Sequence, residues 1–279
     1  MPTSIDLHSC LNAISDVVTN RPRPLREFDQ IYMKMADMLL QAEHVGRYFD
    51  GRDVVFIGDG DAIGLSLVHL HKLQLLPRGP KSLVVLDFDE RVVLSVAEFA
   101  RQFDISDVIS AQLYNVADPL PEQHWQRFTG FYTNPPFGAS NGGRSVEAFL
   151  RRAFEAAAEG AIGCLVLADH DGHAWTHDVL HSTQKLVLDN GYMIRELLPH
   201  FHTYHLDDAP DLTSCSVVVQ LRRFVKTHYR SQPLEAAMLK DFYGGHSPLR
   251  VKYVKDLTSG GKRASRDHEL MPFSEALAP

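Results

Sequence analysis

Val54-Val55-Phe56-Ile57-Gly58-Asp59-Gly60-Asp61-Ala62-Ile63-Gly64-Leu65-Ser66 decides how this chain is read. Four apolar residues, Val54 to Ile57, make a run short enough for a buried strand. Gly58-Asp59-Gly60-Asp61 interrupts it, and Ala62, Ile63, Leu65, Leu67, Val68 and Leu70 follow in a helical pattern. A strand, a glycine-rich bend and a helix open a nucleotide-binding βαβ unit. A loop that cradles a pyrophosphate would not carry two negative charges. Asp59 and Asp61 therefore point away from dinucleotides. They fit a ligand with a cationic or hydroxyl-rich part, such as a sulfonium nucleoside with an amine beside it.

Outward from this stretch the pattern alternates. Strands are expected at 54–57, 83–87, 111–116, 128–133, 162–168, 192–197 and 215–221, with helices at 62–76, 90–102, 145–158 and 175–190. This order predicts an α/β, Rossmann-like fold: a mostly parallel sheet with helices on both faces. Segments 192–197 and 215–221 lack an intervening helix and are expected to pair antiparallel at one edge, as in a methyltransferase-type sheet. Residues 1–50 read as a small helical N-terminal cap, with helices over 5–19 and from Leu25 or Phe28 to Ala42. Its methionines read as core. The catalytic domain is expected over 51–225. Residues 226–279 form a C-terminal extension, with one helical stretch (233–245), a late strand (249–257) and a weakly ordered tail.

Composition narrows the classes. A hydrophobic content of 44% with 23% charged residues is that of a soluble globular protein. The net charge of −7 disfavours a general grip on nucleic acid and is compatible with a cationic substrate. Cys10, Cys164 and Cys215 show no ligand spacing, no apolar run approaches the ~20 residues of a membrane span, and no secretory signal opens the chain. A cytoplasmic protein without membrane or nucleic-acid partners is expected.

Candidate site residues sit where strands end. Asp87, 27 residues after Gly60, stands where an acid takes ribose hydroxyls. Asp118 either holds an adenine amine or starts the turn made by Pro119. Asn134-Pro135-Pro136-Phe137 follows a strand. The prolines fix a rigid loop, Asn134 offers a carbonyl and an amide, and Phe137 is suited to stacking on a flat ligand. This tetrapeptide resembles the motif of methyltransferases that act on planar amino nitrogens. His170, His173 and His177, and His200, His202 and His205, lack metal-ligand patterns and read as surface or substrate-facing residues, so no metal is expected. Asp169, His170 and Asp171 are candidates for amine contacts.

With these motifs in order, the chain resembles the branched-chain polyamine synthase family, the N4-bis(aminopropyl)spermidine synthases. The resemblance runs from about Arg23 to Arg222. It includes Arg26-Glu27-Phe28-Asp29-Gln30, Phe56 to Asp61, Asp87 to Val92, Pro119-Leu120-Pro121, Pro135-Pro136 and the helix at Trp175. It implies a class I methyltransferase-like fold and a homodimer. It also implies transfer of an aminopropyl group from decarboxylated S-adenosylmethionine to a polyamine nitrogen. Gly58, Asp59, Gly60, Asp87 and Asp118 would hold the donor. Asp61 and Asn134 would orient the amine, with Gln30, Pro135, Pro136, Phe137 and Asp169 around it. Asp59 is the expected proton acceptor. The chain departs from the family in two acids: Gly60 replaces the middle aspartate of Gly-Asp-Asp-Asp, and Asn134 replaces the aspartate of Asp-Pro-Pro. With about 50 residues before the first strand, the family's winged-helix domain is expected to be absent. Two other functions fit the same residues: an S-adenosylmethionine-dependent N-methyltransferase using Asn134 to Phe137, and a non-catalytic nucleoside- or polyamine-binding protein.

Overall fold

The computed structural model of the protein describes residues 6–207, 209–244, 249–258 and 268–273. Seven strands form the main sheet: β1 (Asp53–Ile57), β2 (Ser82–Asp87), β3 (Ile109–Leu113), β4 (Phe128–Thr133), β5 (Ala157–Ala168), β6 (Tyr192–Thr203) and β7 (Thr213–Leu221). Their order across the sheet is β3-β2-β1-β4-β5-β7-β6. The first five run parallel, and β7 pairs antiparallel with both β5 and β6. The strand order therefore reverses between β1 and β4, and the crevice at their carboxyl ends is where such sheets bind ligands.

Alternation along β1 shows how the sheet is buried on both sides. Val54 and Phe56 pack into one apolar cluster, with the N-terminal helices α1 (Leu7–Asn20) and α2 (Met35–Phe49) and with α3 (Ile63–Lys72) and α4 (Glu90–Gln102). Val55 and Ile57 face the opposite cluster, with α5 (Arg144–Ala156), α6 (Ala174–Asp189) and part of the C-terminal segment. Every residue of α3 from Ile63 to Leu70 is buried, because the N-terminal helices cover the face that would otherwise meet solvent.

The structure corrects several expected boundaries. Residues 25–34 do not begin a helix. Arg26–Phe28 make one 3-10 turn, Asp29 closes it in the left-handed region at φ 57°, and α2 starts only at Met35. Gln30 accounts for this break, since its side-chain oxygen accepts the Leu25 N–H at 2.8 Å. The chain then runs extended, with Met33 bridged to Tyr204. The third strand lies at Ile109–Leu113, so Asn115 falls in the following turn. The helical stretch of the C-terminal extension shrinks to α7 (Ala236–Leu239). Part of the expected weak tail is ordered: β8 (Val251–Asp256) pairs antiparallel with β9 (His268–Pro272). The rest, 259–267 and 274–279, lies outside the described residues.

Arg152 ties the extension to the sheet. Its guanidinium is fully buried and donates to Val116 O (2.9 Å), the Glu155 carboxylate (2.8 Å), Ser231 Oγ (3.0 Å) and Gln232 O (2.8 Å). Removing one partner of such a network leaves buried acceptors unpaired. Arg152→Met is expected to lower stability by about 3–5 kcal/mol, read by urea denaturation. A loss under about 1 kcal/mol would show that the network contributes no more than an ordinary hydrogen bond.

Candidate active site

Gly58 leaves β1 at φ 74°, with its N–H on Leu86 O at 2.8 Å. A Cβ there would lie 3.1 Å from the Phe149 ring, so glycine serves both the turn and the close approach. Asp59 follows, and its two carboxylate oxygens accept the N–H groups of Ile63 and Gly64, each at 2.9 Å. The carboxylate thus caps the helix that its own loop starts. Its backbone N–H donates to Asp87 Oδ2 at 3.0 Å. A Cβ at Gly64 would come within 2.9 Å of Asp59 Oδ2, which makes residue 64 part of the same device.

Asp61 is held from three sides. Met33 N–H donates to its Oδ1 and Asn134 Nδ2 to its Oδ2, both at 2.7 Å. Arg21 donates to the Asp61 carbonyl at 3.1 Å and stands 3.9 Å from the carboxylate. Asn134 must present its amide nitrogen to this carboxylate, which leaves its carbonyl oxygen available to a ligand N–H. Asp87, at the tip of β2, accepts one N–H on each oxygen, from Asp59 and from Asp89 (2.9 Å). Each oxygen retains a lone pair.

These groups wall one cleft of about 790 Å³, mouth included. Among the described residues four carboxylates line it, those of Asp29, Asp59, Asp61 and Asp87, and no lysine, arginine or histidine does. Burial raises the pKa of Asp59 well above the carboxylate range, against the two helix N–H groups, and the charges of Asp61 and Asp87 add to the rise. Burial also raises Asp61, although Arg21, the Met33 N–H and Asn134 oppose it. Asp87 is pushed up to about 7, by burial and then by the charge of Asp89. The cleft as it stands disfavours its own negative charge, and a bound cation would relieve it.

Of the residues expected from sequence, Gly58, Asp59, Gly60, Asp61, Asp87, Gln30 and Asn134 to Phe137 all line the cleft. Three roles change. Both oxygens of Asp59 accept helix N–H groups, which places it as a cap of α3. Asp118 lies outside the wall, paired with Lys252 at 3.2 Å, and Asn115 and Val116 take that side. Asp169 also lies outside: its Oδ2 accepts the His200 N–H at 2.9 Å, and its carbonyl accepts the Thr213 hydroxyl, which ties the ends of β6 and β7. The amide of Gln30 is used within the protein, on Leu25 and on Asp89 Oδ2 (3.1 Å). Among the described residues no three His, Cys, Asp or Glu side chains converge as a metal set.

Sequence reasoning missed Arg21, the lining role of Asp29 and the aromatic mouth. Phe28, Phe88 and Tyr243 pack there with ring centroids 5.3–5.8 Å apart. Tyr243 comes from the C-terminal extension, held by Ser145 Oγ donating to Phe242 O at 2.5 Å and Asn141 Nδ2 donating to Asp241 O at 3.3 Å. The only signal in the sequence was an aromatic pair before Gly244-Gly245. Asp29 differs from the deeper acids, since its only side-chain partner among the described residues is Arg26, at 2.5 Å near the surface.

Comparison with known proteins places this geometry. The sequence profile described as the branched-chain polyamine synthase A C-terminal domain matches residues 9–259, beyond the expected resemblance at both ends. The N(4)-bis(aminopropyl)spermidine synthase of Thermus thermophilus is 29% identical over 189 residues, 66% of this chain and 50% of that protein. The enzyme of the same name from Thermococcus kodakarensis is 24% identical over 197 residues, 70% of this chain and 52% of that protein. The chain therefore spans about half the length of these curated relatives. A crystal structure of a branched-chain polyamine synthase mutein from Thermus thermophilus, in complex with N4-aminopropylspermidine and 5'-methylthioadenosine, superposes with a TM-score of 0.69 at 23% identity, covering 85% of this chain and 70% of that one. A putative RNA methyltransferase from Pyrococcus horikoshii shares the fold at a TM-score of 0.54 and 16% identity, covering 78% of this chain and 100% of that one. By the extent of the profile match, the chain belongs to the family of the branched-chain polyamine synthase A C-terminal domain.

Proposed function

We propose that this chain transfers an aminopropyl group from decarboxylated S-adenosylmethionine to a nitrogen of a polyamine. The observation that carries the reading is the cleft itself, with four carboxylates and no cationic side chain in its wall among the described residues. Such a wall attracts a sulfonium and an ammonium and repels the carboxylate that intact S-adenosylmethionine carries. Asp87 is placed to accept the ribose hydroxyls with its remaining lone pairs. Leu86, Val116 and Phe149 supply apolar surface for the base.

The amine must shed a proton before it attacks. With a pKa near 10.4, baring its lone pair at pH 7 costs about 4–5 kcal/mol. The Asn134 carbonyl oxygen is suited to accept an N–H of the nucleophile and aim the lone pair. In the transfer step the nitrogen forms a bond to the propyl carbon next to sulfur as that C–S bond breaks. The bonding pair stays on sulfur, which becomes a neutral thioether, and the nitrogen releases its proton. Asp29 takes the role first expected of Asp59, because no backbone N–H occupies its carboxylate among the described residues.

The methyltransferase reading rests on Asn134 to Phe137, but Asn134 gives its amide to Asp61, and among the described residues the cleft wall offers no cation for a donor carboxylate. Calorimetry with both donors separates the two. Decarboxylated S-adenosylmethionine is expected to bind at least about tenfold more tightly; tighter binding of the intact donor would overturn the proposal. Mass spectrometry after incubation with spermidine is expected to show an aminopropylated product, slowed about 10²–10⁴-fold in Asp29→Asn. A wild-type chain that forms no product is a binding protein.

Asp87 gives the site a pH dependence. Its folded pKa of about 7 stands above the ordinary 3.8. Its contribution to stability is therefore full below that ordinary value and is lost as pH rises through 7. Binding runs the opposite way, since ionised Asp87 is the stronger acceptor for ribose. The affinity for 5'-methylthioadenosine is expected to rise about tenfold from pH 6 to 8 and to stay flat and weak in Asp87→Asn. A flat wild-type profile would remove Asp87 from the ribose.

We further infer a homodimer working in a reducing cytoplasm. Family resemblance supports the dimer, and the buried, unpaired Cys10, Cys164 and Cys215 support the compartment. Light scattering is expected to give twice the chain mass; a monomer at micromolar concentration would refute the dimer.

A further inference from the structure

Arg21 lies outside the cleft wall, at the end of α1, yet the geometry ties it to the loop that carries the deepest acids. Its side chain is 9% exposed. The guanidinium carbon lies 4.1 Å from the centroid of the Tyr32 ring, and Tyr32 is pinned in turn by its hydroxyl donating to Pro22 O at 3.1 Å. From there Nη1 donates to Asp61 O at 3.1 Å and stands 3.4 Å from Met38 Sδ. The acceptor is the carbonyl of the peptide that joins Asp61 to Ala62.

Ala62 is the conformational outlier of the loop. It adopts φ 61°, ψ 37°, the left-handed region that disfavours side chains, although three of the seven residues from Gly58 to Gly64 are glycines that enter it freely. It caps α3 without a side-chain hydrogen bond. This turn fixes where the Asp61 side chain sits relative to Met33 N and Asn134 Nδ2, each 2.7 Å away. Tyr32 bounds the same turn on its other side, since a Cβ on Gly60 would lie 3.3 Å from its ring. Arg21, Tyr32 and Gly60 thus form a stack against which the loop is set.

We propose that Arg21 is a positioning residue that holds the Asp61–Ala62 peptide in its left-handed turn and so aims Asp61 and Asn134 into the cleft. Its action is through the backbone carbonyl. The salt bridge to the carboxylate, at 3.9 Å, is secondary. The kinetic consequence rests on the aminopropyl reading; the structural consequence does not.

A rescue experiment separates this role from a charge effect or from general packing. In Arg21→Met, amide exchange across residues 58–64 is expected to speed up about tenfold or more, with exchange in β4 and β5 unchanged. Aminopropyl transfer is expected to lose about 10–100-fold in kcat, as for a displaced reacting group, while KM for the donor moves less than about threefold. Adding Ala62→Gly to Arg21→Met removes the steric objection to the left-handed turn. It is expected to restore both exchange and kcat to within about threefold of wild type. Should Arg21→Met not fold, Arg21→Lys keeps the charge and loses the planar stack; it is expected to show a smaller defect with the same rescue by glycine. Unchanged exchange across 58–64 in a folded Arg21 variant would overturn the proposal. So would a double variant that stays as impaired as the single one, since a missing counter-charge cannot be replaced by glycine. If the wild-type protein transfers no aminopropyl group, the function reading fails, and the exchange measurement still decides the role of Arg21.

Discussion

The site depends on one interaction, the closure of the Asp59 carboxylate onto the N–H groups of Ile63 and Gly64. A buried carboxylate is unfavourable unless it is hydrogen-bonded. Here the free amides of a helix start supply the bonds, and the carboxylate satisfies amides that would otherwise be orphaned. The consequence for function is an inversion. A helix N-terminus after a glycine-rich loop ordinarily offers its amides to an anion. In this protein the Asp59 carboxyl already takes two of them, so the helix start is closed to a ligand anion. The Asp59 N–H donating to Asp87 carries the same arrangement across to β2.

The N-terminal helices belong to the site as well as to the core. Met33 donates to Asp61, Gln30 to Asp89 and Arg21 to the Asp61 carbonyl. All three lie in the irregular stretch around residues 21–34, between α1 and α2. Met33 gives a backbone N–H freed from helix, whereas Gln30 and Arg21 reach the site with side-chain donors. On the opposite side the C-terminal extension supplies Tyr243. The cleft is therefore built by three parts of the chain, and only the sheet between them follows the general nucleotide-binding plan.

That division explains what could be read in advance. Strand and helix alternation, the bend at Gly58 to Asp61, Asp87 at a strand tip and Asn134 after the next strand follow from local pattern. Each is a property of a few neighbouring residues. Arg21 meets Asp61 across 40 positions, and Lys252, far along the chain, pairs with Asp118 outside the cleft while its carbonyl accepts the amide of the lining Asn115. No periodicity encodes such pairings. The expectation for Asp169 failed for a related reason: a carboxylate at a strand end is as useful to the neighbouring antiparallel pair as to a ligand. Asp59 shows a subtler limit. Its place in the cleft is legible, but the occupation of both its oxygens is visible only once the helix start is seen to fold back on it.

The two acids that this chain lacks relative to the family it resembles can be weighed on the same terms. An aspartate at position 134 would set a carboxylate within hydrogen-bonding distance of Asp61, where the amide nitrogen now lies 2.7 Å from Oδ2. Two such groups cannot both ionise; they would share a proton. Asparagine removes that conflict and leaves Asp61 as a single negative charge with a defined set of donors. A side chain at Gly60 would meet the Tyr32 ring on which Arg21 rests. The asparagine therefore keeps one negative charge at this pair and fixes its direction, and the glycine at 60 leaves the cleft one carboxylate fewer beside Tyr32. On the proposed transfer, a site without a carboxylate at position 60 would hold a highly charged amine less firmly and let the nucleophile shed its proton more readily, because one fixed anion fewer stabilises its ammonium form.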